Sequence, residues 1–324
     1  MKRLSIAAII LASLAIAGEA FIFATKKEDS EALLQRAVMA DYHVYAPPLP
    51  DTLTFAGERV PMETYYVREA LDNELVVNMY RQSATVMCFK RAGRFFPVIE
   101  PILKKNGIPD DFKYLCVIES ALTNATSPAK AQGFWQFIKS TGTAYGLEVN
   151  DEIDMRNDLV ASTEAACRFL KSLYNRFGSW TAAAAAYNCG ENGLNKRMDL
   201  QSTKSYYDLL LNTETSRYVY RILAMKTIMQ NPARYGYHLR RCDLFPPIPT
   251  RTVTVEGKNI DLYQVAKQNG TSYRMVRTLN PWLLTDHITN KTGKSYTLNM
   301  PVDKGTLYRT LTHGHRDTSP VTSL

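Results

Sequence analysis

The sequence predicts a mainly α protein with a small α+β appendage, and three observations carry this. Apolar residues recur at helical spacing through residues 63–230, no strand-like alternation interrupts them, and the pattern changes after Pro246-Pro247-Ile248-Pro249. A chain of 324 residues is long enough for two domains. With 45% apolar and 22% charged residues it is ordinary globular material, which excludes bulk disorder. The formal charge of +8 is spread along the chain without any nucleic-acid motif, so nucleic acid is not an expected partner.

Taken in order, the chain opens with Lys2-Arg3 and an apolar run from Leu4 to Ala17, followed by small residues at Ala15-Ile16-Ala17 and Gly18-Glu19-Ala20. This is the pattern of a signal peptide over residues 1–25. Apolar character resumes at Phe21 and ends at Lys26-Lys27, so the same stretch also reads as an N-terminal membrane anchor with Glu19 as its costly residue. No cysteine follows the run, which excludes a lipoprotein anchor. A helical region is expected over 26–92, broken at Pro47-Pro48-Leu49-Pro50, with Val67, Leu71, Leu75 and Met79 forming a stripe. Asn106-Gly107-Ile108-Pro109 is a turn before a helix opening at Asp110-Asp111. Asp158 to Phe177 is a further helix, with Gly178 as its C-cap and Ser179 as the N-cap of the next, which holds Ala182 to Ala186. The last long helix runs from about Thr213 to Met229 and stops before Pro232. Beyond the Pro-rich spacer, Thr252-Val253-Thr254-Val255 and Tyr296 to Met300 read as strands around two short helices, a β-α-α-β unit over 251–302. The polar residues 303–324 are expected to be disordered.

Cys88, Cys116, Cys167, Cys189 and Cys242 show no metal-ligand spacing, and most lie in apolar helical runs, as buried thiols do. There is no HExxH, and His313 and His315 lie in the polar C-terminal stretch, so neither a metal nor another cofactor is expected.

The chemistry points to the helix from Asp110. Phe112, Leu115, Cys116, Glu119 and Leu122 fall at offsets 0, 3, 4, 7 and 10 and share one face, which places a carboxylate on a buried surface. Desolvation raises the pKa of such a group, and a carboxylic acid kept neutral near pH 7 can protonate a leaving group. Periodicity alone leaves a second reading open, a glutamate at a helix end that escapes to solvent or pairs with an arginine.

Three further segments accompany it: Ser127-Pro128-Ala129, Gly133-Phe134-Trp135-Gln136, and Ala186-Tyr187-Asn188-Cys189-Gly190. With Glu119-Ser120 and Glu214-Thr215-Ser216-Arg217-Tyr218-Val219, residues 57–240 resemble the lytic transglycosylases of glycoside hydrolase family 23 in order and spacing. Phe134 stands where that family usually has leucine, and Cys189 fills a variable position. The resemblance implies a goose-lysozyme-like helical transglycosylase domain over 93–240 and peptidoglycan glycan strands as substrate. It implies Glu119 as the single acid and then base. Ser120, Ser127, Gly133 and Gln136 would orient the acid or the substrate, and Tyr187, Asn188 and Tyr218 would line the cleft. It implies a cell-envelope, periplasmic location, with the membrane as a contact if the N-terminal segment is retained.

Val255-Glu256-Gly257, Val265-Ala266, Leu279-Asn280-Pro281 and Met300-Pro301 resemble a lysin motif (LysM), a glycan-binding module, although Gly257-Lys258-Asn259-Ile260 stands where Gly-Asp-Thr-Leu is usual. Such a module is expected to tether the enzyme to an insoluble polymer without helping the chemistry. A lysozyme-type hydrolase on the same fold and a non-catalytic peptidoglycan-binding scaffold are the alternatives.

Overall fold

The computed structural model describes residues 44–291, 293–302, 306–307, 311–312 and 317–324. The expected signal peptide or anchor at 1–25 lies outside these, and among the described residues no helix is long and apolar enough to cross a membrane.

The chain from Pro47 onward forms one compact unit. A two-residue hairpin comes first, β1 (Thr54–Phe55) against β2 (Glu58–Arg59). Helices follow: α1 (Tyr65–Tyr80), α2 (Gln82–Lys105), α3 (Phe112–Ser120), α4 (Lys139–Ala144), α5 (Leu159–Phe177), α6 (Trp180–Cys189), α7 (Glu191–Gln201) and α8 (Thr213–Gln230). Of the stripe read in α1, Val67, Leu71 and Leu75 are buried, and Glu74 is buried with them. Helix α2 runs without a break across residue 92, where the sequence reading placed a boundary.

Helix α8 is the axis of the domain: most of its surface is buried, and it packs against α1, α3 and α6. Close approach to α6 is possible because Ala182 to Ala186 present only methyl groups, all at most 1% exposed. The caps follow the local sequence. Asp158 accepts from Ala161 N at the start of α5, Gly178 takes the left-handed conformation at its end, and Ser179 accepts from Ala182 N. The N-terminus of α6 gains a second acceptor that its own sequence does not contain. Glu58, from the hairpin, accepts from Trp180 N at 2.5 Å and Thr181 N at 2.9 Å. Lys226 of α8 is buried, holding Asp111 at 2.6 Å and Thr54 O at 2.7 Å, which fixes the hairpin to the start of α3.

The C-terminal unit has the expected order. Strand β3 (Thr250–Val255) pairs antiparallel with β6 (Tyr296–Pro301), and α9 (Leu262–Gln268) and α10 (Tyr273–Leu279) lie between them in sequence. A second short pair, β4 (Asn259–Asp261) with β5 (His287–Thr289), was not expected; it forms because the long stretch after Leu283 folds back on residues 259–261.

Two expectations need correction. The residues before β3 are not a free spacer: Phe245 N donates to Lys90 O at 2.8 Å, and Arg94 of α2 donates to Pro246 O at 3.0 Å. Nor are all of residues 303–324 disordered. Asp317–Leu324 lies on the helical domain, with Val321 N donating to Leu239 O, Leu324 N to Met229 O, and the Val321 side chain buried in the helical core. Val321 and Leu324 contribute apolar contacts that a compositional reading of a polar stretch overlooks.

Candidate active site

Glu119 sits in the last turn of α3, where the helix stops abruptly. Ala121 and Leu122 both have left-handed backbones, at φ 51° and 56°, a conformation costing roughly 1–2 kcal/mol for a residue with a Cβ. Lys130 and Gln136 share this property at φ 59° and 48°, so four of the six such non-glycine residues among the described residues flank one region. Backbone strain concentrated in one place marks a functional site.

The region borders a cleft of about 650 Å³ between α1, α2, α3 and α8. Glu119 and Ser120 line it, together with Glu74, Arg81, Glu214, Arg217 and Arg221. Tyr218 Oη donates to Glu119 Oε1. Burial pushes the Glu119 carboxyl up to about 6; the Tyr218 hydrogen bond and the Arg221 charge oppose this, and the Glu214 charge adds to it. The two apolar flanks read from sequence, Val117 and Ile118, line the same cleft.

Of the residues expected at the site, the structure gathers some and not others. Tyr187 is partly buried against the helical core, its hydroxyl donating to Trp135 O at 2.6 Å, and burial together with the nearby Glu119 charge raises its pKa. Asn188 sits at the cleft edge, where its amide donates to Glu214 Oε1 at 3.4 Å and its oxygen accepts from Thr215 Oγ1 at 3.0 Å. Ser120 donates to Cys116 O at 3.2 Å within its own helix. The remaining three hold backbone. Ser127 Oγ accepts from Ala131 N at 3.0 Å, closing a turn. Gln136 Nε2 donates to Ala125 O and Gly133 O, both at 2.8 Å. Gly133, at φ 80°, lies against the Arg156 carbonyl so closely that a Cβ would come within 1.9 Å of its oxygen. These residues shape the loop that ends at Phe137 and contributes Ala125 to the cleft wall.

Sequence reading missed several cleft residues. Glu74 is 1% exposed and pairs with Arg217 Nε at 2.5 Å. Its signal was present, since it falls three residues after Leu71 on the buried stripe. Arg221 donates to Ile118 O at 3.2 Å, and Glu214, Arg217 and Arg221 line the cleft from α8 at helical spacing of three and four. Among the described residues no cluster of His, Cys, Asp or Glu is arranged to hold a metal. The five cysteines are unpaired, with Cys88, Cys116 and Cys167 buried.

Residues 96–210 match the transglycosylase SLT domain, and residues 251–304 match the soluble lytic transglycosylase C-terminal LysM-like domain. Over 242 residues, 72% of this chain, the sequence is 32% identical to membrane-bound lytic murein transglycosylase D of Escherichia coli K12, and the match covers 52% of that protein. The same protein from Escherichia coli O6:H1 gives the same figures. The chain thus spans about half the length of these curated relatives. A strained helix end that presents one desolvated carboxyl to a cleft, two domain matches in tandem and this similarity lead to one conclusion: the chain is an SLT-type transglycosylase domain joined to a C-terminal LysM-like domain, homologous to membrane-bound lytic murein transglycosylase D.

Proposed function

We propose that this protein is a lytic transglycosylase of the cell envelope, cleaving the β-1,4 bond between N-acetylmuramic acid and N-acetylglucosamine in peptidoglycan. The observation that carries this is Glu119, a carboxyl whose pKa is raised to about 6 at the floor of an open cleft, on an SLT domain. Protonated, it delivers its proton to the glycosidic oxygen. Ionised, it then takes the proton from the C6 hydroxyl of the muramic sugar, and that oxygen closes on C1 to give a 1,6-anhydro end. The proton count balances, and no water is consumed.

Two-carboxylate glycosidases need a second free carboxylate across the bond. Of the other two acidic residues lining the cleft, Glu74 is buried and paired with Arg217, while Glu214 is exposed and accepts only a 3.4 Å hydrogen bond from the Asn188 amide. In this proposal the substrate's own N-acetyl group meets the developing positive charge. Tyr218 orients the carboxyl, and Arg221 tempers its pKa. The periplasmic location and a signal peptide or membrane anchor over residues 1–25 belong to the same proposal.

Products decide the reading. Mass spectrometry of muropeptides released from purified sacculi is expected to show anhydro-ended species. Reducing ends heavier by one water would make the protein a lysozyme-type hydrolase, and no release at all would make it a binding scaffold.

The acid assignment carries its own pH test. The first step needs protonated Glu119, so kcat/KM is expected to fall about tenfold per pH unit above pH ~6. The Tyr218 hydroxyl favours the ionised carboxyl, so Tyr218→Phe raises the pKa further. The falling limb of its pH profile therefore moves to higher pH, even as the maximal rate declines through lost orientation. An unmoved limb would separate Tyr218 from the titrating group.

A further inference from the structure

The LysM-like domain does not hang from the helical domain; it is locked onto residues 148–154. Ile153, from the helical domain, is 1% exposed and belongs to the other domain's apolar core, with Leu262, Trp282 and Ile288. Its backbone pairs with Leu283. On either side, Asp154 N donates to Trp282 O and Leu284 N to Glu152 O, each at 2.8 Å. Thr289 N donates to Glu152 Oε2 at 2.7 Å, and Lys294 reaches Glu148 at 3.1 Å.

The chain then turns through a short 3-10 helix, Met155–Asn157. Both oxygens of Asp154 accept from Arg156, from Nε at 2.8 Å and from Nη2 at 2.6 Å, and both side chains are buried. Arg156 Nη1 donates to Lys130 O at 3.1 Å and Phe137 O at 3.0 Å. These carbonyls lie on either side of Gly133, which itself rests on the Arg156 carbonyl. Gly133 N and the Gln136 amide then hold Ala125 O, and Ala125 lines the cleft.

We propose that the LysM-like domain is a positioning part of the active site: docked on residues 148–154, it holds the Asp154–Arg156 pair, and through it the loop from Ala125 to Phe137 that walls the cleft beside Glu119. This rests on the reading of Glu119 as the catalytic acid. It replaces the sequence-based expectation that this module tethers the enzyme to an insoluble polymer without helping the chemistry. Each link is a hydrogen bond or a close backbone contact, and a bidentate Arg–carboxylate pair has a fixed geometry that transmits position. Misplacement by about 1 Å of a group that orients substrate costs up to ~10²-fold in rate.

The test uses the full chain and Ile153→Asp, which places a charge in the LysM-like core and undocks the domain. Two quantities are read: turnover of a short soluble peptidoglycan oligosaccharide, for which tethering to an insoluble polymer is irrelevant, and amide hydrogen exchange. The expected result is a fall of about tenfold or more in kcat, with faster exchange at Gln132 and Gly133 and unchanged protection in α8. The conservative Ile153→Leu is expected to retain both properties. If Asp154 and Leu284 exchange faster, showing undocking, while turnover stays at the wild-type level, the proposal is overturned. Slow exchange at Gln132 and Gly133 in the undocked variant overturns it as well, without reference to activity. Should Ile153→Asp not fold, Glu152→Ala removes the Thr289 hydrogen bond and the His287 contact at 3.8 Å, with a smaller change of the same sign expected in both readouts. A wild-type protein inactive on every glycan would fault the assignment of Glu119 instead, and the exchange data would still decide the positioning claim.

Discussion

Glu119→Gln is expected to lose at least about 10³-fold in lytic turnover, the scale of a positioned acid–base group. The amide keeps the volume of the side chain and can still accept the Tyr218 hydroxyl, but it can neither give nor take the required proton. Fold and sacculus binding are expected to survive. Stability supplies an independent check of the same residue. Its folded pKa of about 6 lies above the ordinary value of 4.5, so the wild-type folded state binds a proton more tightly than the unfolded chain. That contribution to stability is complete below pH ~4.5 and is lost as pH rises through ~6. Glutamine does not titrate, so the variant is expected to gain stability relative to wild type as pH rises across this window and to hold the gain at pH 7. Denaturant titrations at pH 4 and pH 7 measure the difference. Equal offsets at the two pH values would show that Glu119 is not desolvated. Wild-type-like turnover by the variant would remove it from the chemistry.

Gly133→Ala is expected to be the most damaging single methyl in the loop that walls the cleft. The added Cβ meets the Arg156 carbonyl oxygen at 1.9 Å and its carbon at 2.7 Å, both backbone atoms, and the backbone at φ 80° disfavours alanine even in open space. No rotamer relieves this, so either the loop or the Arg156 turn must move. A cost of at least about 3 kcal/mol is expected from a forced backbone shift of this kind. For a domain of this size that lowers Tm by about 6–12 °C. Turnover is expected to fall further than stability alone explains, because Gln136 and Ala125 move with the loop. An alanine variant with wild-type Tm and activity would mean that the loop is not seated on Arg156.

The helical architecture was legible because its signals are local. The caps at Asp158, Gly178 and Ser179 and the extent of α5 and α8 follow from the chain's own spacing. The buried face of α3 likewise follows from the offsets of Phe112, Leu115, Cys116 and Glu119. What the sequence concealed are pairings between distant segments. Nothing near Glu58 indicates that it serves the N-terminus of α6, and nothing near Lys226 indicates Asp111. Ile153 reads as a lone apolar residue in the polar run Asn150-Asp151-Glu152, because the core it fills is built from residues more than a hundred positions later. Gly133 and Gln136 were picked out by resemblance, but the structure gives them backbone-holding contacts, which a motif cannot distinguish from contacts to substrate.

The return of Asp317–Leu324 to the helical core has a consequence for how the chain acquires its structure. Leu324 O accepts from the Tyr114 hydroxyl across a sequence separation of 210, and Val321 N bonds Leu239 O on the far side of the whole LysM-like domain. In topological terms the LysM-like domain is an insertion within a discontinuous helical domain. A chain emerging N-terminus first can form α1 to α8 early, but the last apolar contacts of their core must wait until the insertion has been made and its exit strand has come back. Closing so long a loop adds only slowly growing entropy, yet contacts of such sequence separation slow folding. The two domains therefore cannot be separated by a single cut between Leu244 and Thr250, because the second piece would carry away part of the first one's core.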